Sequence, residues 1–155
     1  MRSEQEAVQA VERYADTVRR VCALHLKNYA DTEDIFQTVF LKYVLSTTVF
    51  ESQEHEKAWL LHVAANLSKN RLRYNRLRRT DPLEETLIAQ ERPDLAFVWE
   101  AVSALPVRWR EVLHLYYQEE YSTAQIARIL SRKESTVRSD LHRARIRLKE
   151  VLQDN

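Results

Sequence analysis

Glycine is absent from all 155 residues, and proline occurs only at Pro82, Pro93 and Pro106. Tight turns, hairpin loops and bulges draw on glycine for positive φ, so a sheet-rich fold is excluded. A glycine-rich phosphate loop is excluded for the same reason. The lone cysteine, Cys22, rules out an intrachain disulfide. No apolar run approaches the roughly 20 residues that a membrane-spanning helix needs. The opening MRSEQEAVQA has no apolar stretch suited to a signal peptide. A cytoplasmic protein is expected. Metal chemistry fares no better. His55-Glu56 begins a zinc-protease pattern, but Trp59 stands where the second histidine belongs. Cys22 and His25 sit one helical turn apart with no second ligand pair, so Cys22 reads as a core residue and His25 as a surface or boundary one. No metal, no cofactor and no catalysis are expected.

What is present favours helix. Leu, Ala, Arg, Glu and Gln dominate, and 45% of residues are hydrophobic, enough for a core. The expected fold is all-α, with two small helical domains. One helix spans about 4–28, with Val11, Tyr14, Val18, Val21 and Cys22 at helical spacing. A second starts near Asp31 and carries Ile35, Phe36, Val39, Phe40 and Tyr43. Residues 46–56 read as a loop. A third helix spans about 56–79, with Trp59, Leu60, Val63, Leu67 and Tyr74 on one side. Residues 80–94, acidic and punctuated by prolines, read as a linker that spans about 50 Å when fully extended. The domains are therefore 1–79 and 95–155. In the second, Leu95, Val98, Val102 and Leu105 mark one helix and Pro106 starts the next, which carries Val112, Leu113 and Tyr116. Ser122-Thr-Ala-Gln125 is a capping box that opens a short helix to Leu130. A turn at 131–133 leads into a last helix through about Leu152.

Net charge is only +1, but its distribution is uneven. Residues 1–68 hold seven bases and ten acids, whereas 69–79 hold six bases and no acid. Residues 80–127 hold three bases and nine acids, and 128–149 hold eight bases against Glu134 and Asp140. Two basic blocks on either side of an acidic stretch suggest two contacts with one polyanion. The second block lies on the last helix, where Val137, Leu141, Ala144 and Leu148 form one apolar stripe. Ser135, Arg138, Ser139 and His142 lie opposite, near the helix N-terminus. A short capped helix, a brief turn and a longer basic helix make a helix-turn-helix, whose second helix offers its N-terminal residues to base edges. Arginine there reads guanine through paired hydrogen bonds. Arg143, Arg145, Arg147 and Lys149 lie further along and suit phosphates. The other basic block projects His62, Lys69, Arg73 and Arg76 from the end of the third helix, with Trp59 and Tyr74 as surfaces for unpaired bases.

Three stretches in this order resemble extracytoplasmic-function sigma factors of the sigma-70 superfamily, over about residues 8–79 and 95–152. Asp31-Thr-Glu-Asp-Ile-Phe-Gln-Thr-Val-Phe40 is similar to their polymerase-binding segment. Lys57-Ala-Trp-Leu-Leu-His-Val-Ala-Ala-Asn66 with Arg71-Leu-Arg73 is similar to their minus-ten segment. Leu105-Pro106, Arg110-Glu-Val112, Ile126-Ala127, Thr136-Val-Arg-Ser and Leu141-His-Arg-Ala-Arg145 are similar to their minus-thirty-five domain. The resemblance implies a non-enzymatic subunit that binds core RNA polymerase and recognises both promoter elements. It implies that Asp34, Gln37, Thr38 and Leu41 meet the clamp of the largest subunit, with the flap as a further polymerase contact. Trp59, His62, Asn66, Lys69, Arg71, Arg73 and Arg76 would serve the minus-ten region, with the 46–57 loop around a flipped base. Ser135, Thr136, Arg138, Ser139, His142, Arg143, Arg145 and Lys149 would serve the minus-thirty-five element. An anti-sigma factor is a further implied partner. The chain departs from the family pattern at Ser131, where glycine is usual, at Arg132, usually apolar, at Lys133, usually serine, and at Asp140, usually basic. These bear on the stability of the turn and on the base contacts. The alternatives are a helix-turn-helix regulator that is not a sigma factor, and a helical adaptor that binds only protein. Initiation by purified core polymerase separates the three.

Overall fold

The computed structural model describes residues 1–78 and 96–153, with side chains described from residue 100 onward in the second stretch. The expected 80–94 linker and Leu95 lie outside the described residues. The chain divides into two compact units, Met1–Glu84 and Glu85–Asn155. Every described regular element is helical, as the composition predicts, and no described helix is long and apolar enough to cross a membrane.

In the first unit α1 (Glu4–Leu26), α2 (Tyr29–Leu45) and α3 (Gln53–Arg78) each pack against the other two. Ser3 caps α1 through a capping box with Glu6, and Lys27 ends it in the left-handed conformation at φ 55°. α2 starts two residues before the expected Asp31, because the Asn28 side chain accepts the Asp31 backbone N–H at 3.1 Å. Tyr14, Val18 and Cys22 of α1, Ile35, Val39 and Tyr43 of α2, and Leu60, Leu61 and Ala64 of α3 form the core.

Two expectations are corrected here. The inner side of α3 is made by Leu60, Leu61, Ala64, Ala65 and Ser68, and Tyr74 is half-exposed. Small side chains on that ridge let the neighbouring helices come close, and bulkier Trp59, Val63 and Leu67 flank it half-buried. His25 is not at the surface. The last turn of α1, Val21–Leu26, is buried on every side, and the His25 ring Nδ1 lies 2.8 Å from the Val21 carbonyl.

In the second unit α4 (Ala96–Ser103) precedes α5 (Val107–Leu113), which opens into a wider π-type turn over His114–Gln118. The Glu119 N–H closes that turn on the His114 carbonyl at 3.2 Å. α6 (Thr123–Leu130) and α7 (Glu134–Gln153) follow. Val112, Leu115, Ile126, Ile129, Val137, Leu141 and Ala144 are buried, while Leu148 is half-buried where the stripe on α7 tapers.

Cys22 is fully buried, and burial pushes its thiol up to about 12. Thiolate, the reactive form, is scarce at pH 8. Iodoacetamide should leave the folded chain unmodified at pH 8 and alkylate it once in urea, as intact mass would record.

Candidate nucleic-acid interface

Ser122 opens α6 with the expected capping box: its hydroxyl accepts the Gln125 N–H at 3.2 Å, and the Gln125 side chain accepts the Ser122 N–H at 2.9 Å. Ser131 ends α6 at φ 56°, ψ 49°, the left-handed geometry for which glycine is the usual choice. A serine there costs about 1 kcal/mol relative to glycine. Compensation comes from two of the other departures, Arg132 and Asp140. Arg132 reaches the buried Glu111 of α5 at 2.6 Å and the buried Asp140 of α7 at 3.4 Å. Arg108 of α5 approaches the same Asp140 oxygen at 3.0 Å, and Arg132 also donates to the Arg108 carbonyl at 3.2 Å. Two guanidinium groups and two carboxylates thus join α5, the turn and α7. The sequence expectation set Arg132 and Asp140 against the stability of the turn, whereas the structure makes them each other's partners.

On α7 Ser135, Arg138, Ser139 and His142 are exposed together, as the spacing predicts, and Thr136 is half-buried beside them. Arg138 donates to Glu134 one turn earlier at 3.1 Å, an exposed pair. Arg143, Arg147 and Lys149 are exposed further along. Arg145 is exposed but anchored: its Nε donates to the Tyr117 hydroxyl at 2.7 Å, and its guanidinium lies 5.3 and 5.5 Å from the Tyr116 and Tyr117 ring centroids. That hydrogen bond holds its proton more tightly than usual. Beside it an apolar groove of about 600 Å³ runs between Val102, Leu113, Tyr117, Leu148 and Leu152.

In the first unit Gln37 and Leu41 are exposed on the outer side of α2, and Thr38 is half-buried with its hydroxyl donating to the Asp34 carbonyl at 2.9 Å. Asp34 is exposed but joined to Arg71 at 2.6 Å. Arg71 also pairs with Asp31 at 2.7 Å, and Asn75 donates to Asp31 at 2.8 Å. The bond to Asp34, with Asp31 in support, raises the Arg71 pKa. Arg71, expected on DNA, is thereby the tie between α3 and α2. Arg73 and Arg76 are exposed, Lys69 and His62 are half-buried, and Asn66 lies 3.0 Å from the His62 ring. Trp59 does not stand clear as a stacking surface. It meets Phe50 at 5.8 Å and Tyr43 at 6.2 Å, edge to face, beneath the 46–52 loop. The Tyr43 hydroxyl donates to Glu56 at 2.7 Å, and burial, reinforced by that carboxylate, raises its pKa to about 12. The sequence pattern assigns no role to Phe50 or Arg2, and Glu56 enters it only beside His55. An aromatic residue within the Ser/Thr-rich 46–52 stretch was the signal for Phe50; Arg2 gave none.

A three-helix unit and a helix-turn-helix unit with an exposed basic reading helix define a helical DNA-binding protein. Residues 10–78 match the family described as sigma-70 region 2, and residues 98–148 match sigma-70, region 4. The chain is 30% identical to the RNA polymerase sigma factor HrpL of Pseudomonas syringae pv. syringae, over 82% of this chain and 76% of HrpL. It is 26% identical to the ECF RNA polymerase sigma factor SigW of Bacillus subtilis, over 93% of this chain and 87% of SigW. Its fold is similar to that of RpoE from Bartonella quintana, solved with the anti-sigma factor NepR, at a TM-score of 0.76 and 23% identity over 96% of this chain and 98% of RpoE. CnrH, solved with the cytosolic domain of CnrY, gives a TM-score of 0.74 and 20% identity over 99% of this chain and 91% of CnrH. The chain belongs to the extracytoplasmic-function group of the sigma-70 family. It is an RNA polymerase sigma factor, directing promoter-specific initiation, and the reading as a regulator of another kind is not favoured.

The Arg132 cluster generates a stability test. Arg132→Leu restores an apolar residue after the turn but removes the cation shared by two buried carboxylates. Breaking a buried pair costs about 3–5 kcal/mol. Amide exchange across 107–153 should accelerate accordingly, while exchange in α1–α3 stays at the parent's rate.

Proposed function

We propose a division of labour between the two units. The outer side of α2, with Asp34, Gln37, Thr38 and Leu41, docks on the clamp of the largest polymerase subunit. α3 and the loop before it serve the minus-ten element: His62, Asn66, Lys69, Arg73 and Arg76 follow the strand, and Trp59 and Arg71 support the surface from beneath. On α7, Ser135, Thr136, Arg138, Ser139 and His142 read the minus-thirty-five element, while Arg143, Arg145 and Lys149 meet its phosphates. The observation that carries the reading is the exposed N-terminal half of α7, fixed from behind by Arg132 and Asp140. The apolar groove beside Tyr117 suits the flap, since an apolar side chain from a partner helix gains most where water is displaced from an apolar wall. An anti-sigma factor is a further partner by analogy with RpoE and NepR. The place of action is the cytoplasm, where polymerase works, and the protein does no catalysis itself. The domain division proposed is 1–79 and 95–155, joined by 80–94.

Arg138→Ala should weaken binding to the preferred minus-thirty-five site by about 1–3 kcal/mol and relax preference at one position. Lys149→Ala should weaken preferred and scrambled duplexes alike. Fluorescence anisotropy with both duplexes separates them, and unchanged binding after Arg138→Ala would remove the direct-readout role.

The docking face is tested without disturbing the Asp34–Arg71 pair. Gln37→Ala with Leu41→Ser changes two exposed side chains, so melting should stay near that of the parent. Affinity for core polymerase should fall about tenfold, or 1.4 kcal/mol. Parent-like affinity in a pull-down titration would move the docking surface elsewhere.

A further inference from the structure

Arg108 stands on α5, outside both basic blocks, and its side chain is 53% exposed. Its Nε donates to Asp140 of α7 at 3.0 Å, on the same oxygen that Arg132 approaches at 3.4 Å. The Asp140 side chain is only 4% exposed, so the bond that holds Arg108 is sheltered from water at its acceptor end. A guanidinium has five N–H groups, and this bond occupies one of them. Among the described residues no other hydrogen bond or ion pair engages the Arg108 side chain. Its two terminal amino groups face solvent.

The pitch of α7 fixes where Arg108 arrives. At 100° per residue, Asp140 lies about 20° from Arg147, about 40° from Thr136 and about 60° from Arg143. Arg143 and Arg147 are exposed, and beyond Arg143 round the helix come the exposed reading residues Ser139, Ser135 and His142. A helix about 10–12 Å across fills a major groove about 12 Å wide, so a sugar-phosphate strand runs along each flank. One flank of α7 carries Arg145 and Lys149, the other Arg143 and Arg147. On the second flank an unmatched Asp140 carboxylate would meet phosphate with like charge. Arg132 is matched by Glu111, so Arg108 is the cation that balances Asp140. An arginine already fixed by a buried carboxylate also loses little further rotamer freedom when it binds.

We propose that Arg108 is a phosphate-binding residue of the minus-thirty-five interface, held for that contact by Asp140. Its terminal amino groups take one phosphate of the strand that runs along the Arg143 and Arg147 flank. Asp140 thereby serves DNA binding as the anchor for a cation supplied from another helix. The inference rests on the reading of α7 as the minus-thirty-five helix.

The test uses the full chain as the parent, Arg108→Gln and Arg108→Ala. The preferred duplex is selected by the parent from a random pool, and anisotropy titrations compare it with a scrambled duplex over a salt series. Glutamine removes the charge while its amide can still donate to Asp140, so it carries the test alone if Arg108→Ala does not fold. Both variants should bind the two duplexes more weakly by a similar factor. The slope of log K against log salt should flatten by about 0.9, the share of one phosphate. The loss should therefore be about threefold greater at about 50 mM salt than at about 200 mM. A second set of duplexes carries one neutral methylphosphonate at each backbone position in turn. At one position that change should weaken the parent and leave Arg108→Gln unaffected. The parent's salt slope in both variants would overturn the proposal, as would sensitivity to the same methylphosphonates. So would loss of preference between duplexes at an unchanged slope, which marks Arg108 as a tie for α7 only. A parent that selects no duplex over the scrambled one would instead overturn the reading of α7, and the inference with it.

Discussion

The guanidinium of Arg132 is where the second unit is held together. It stands in a three-residue turn, between a helix that ends without glycine and a helix that must face DNA, and it reaches a carboxylate on each side. Glu111 and Asp140 are almost wholly buried, so neither is supported by water. Burying such a cluster carries a desolvation cost, and apolar side chains of similar volume would hold the turn at least as firmly in many proteins. Directional bonds add something an apolar plug does not. A guanidinium between two carboxylates tolerates little sliding or rotation of α7 against α5, whereas packed methyl groups accommodate several offsets. A reading helix needs its side chains held to within a fraction of an ångström of base edges. Geometry is the better explanation for the cluster than stability.

A comparable arrangement recurs in the first unit with a different consequence. Arg71 leaves α3 and binds Asp31 and Asp34 on α2. Asp34 borders the side proposed for polymerase, and α3 carries the side proposed for the unwound strand. A partner that draws on Asp34 necessarily alters the restraint on α3, because the two carboxylates share one guanidinium. The docking side and the strand side proposed for this unit therefore border on one shared ion pair.

Much of the fold was legible because its signals are local. The capping box at Ser122–Gln125, the proline at the start of α5, the stripe Val137–Leu141–Ala144 and the polar side opposite it lie within one or two helical turns of sequence, and all stand where periodicity puts them. On α3, burial does not follow hydrophobic size along the side that spacing picks out. Close helix packing favours small residues, so Ala64, Ala65 and Ser68 outrank Val63, Leu67 and Tyr74. His25 was misplaced for a related reason: a helix end enclosed by two neighbours has no polar side, and a single helix's periodicity does not show that enclosure. The contacts of Arg2 and Glu111 leave no local signal because their partners lie 41 and 21 residues away. Arg132 and Asp140 were noticed only as departures, since a pair of changes looks like two defects until the contact between them is seen.

The same contacts alter how the two basic blocks should be read. Counted by sequence, residues 69–79 and 128–149 each carry a net charge of +6 and look equally committed to DNA. In the structure Arg132 is directed into the protein and Arg71 is bonded to two aspartates. Formal charge therefore overstates the cations presented to phosphates. Affinity that depends on counterion release follows the number of phosphates neutralised, not the net charge of a segment. The arginines turned inward contribute by a different route, since they fix the backbone from which Arg138, Arg143 and Lys149, or Arg73 and Arg76, project. In a chain with no glycine to shape its turns, that task falls to long side chains with several donors. Arginine, with five N–H groups in a rigid plane, does it at the turn before α7, at the end of α2 and between α2 and α3.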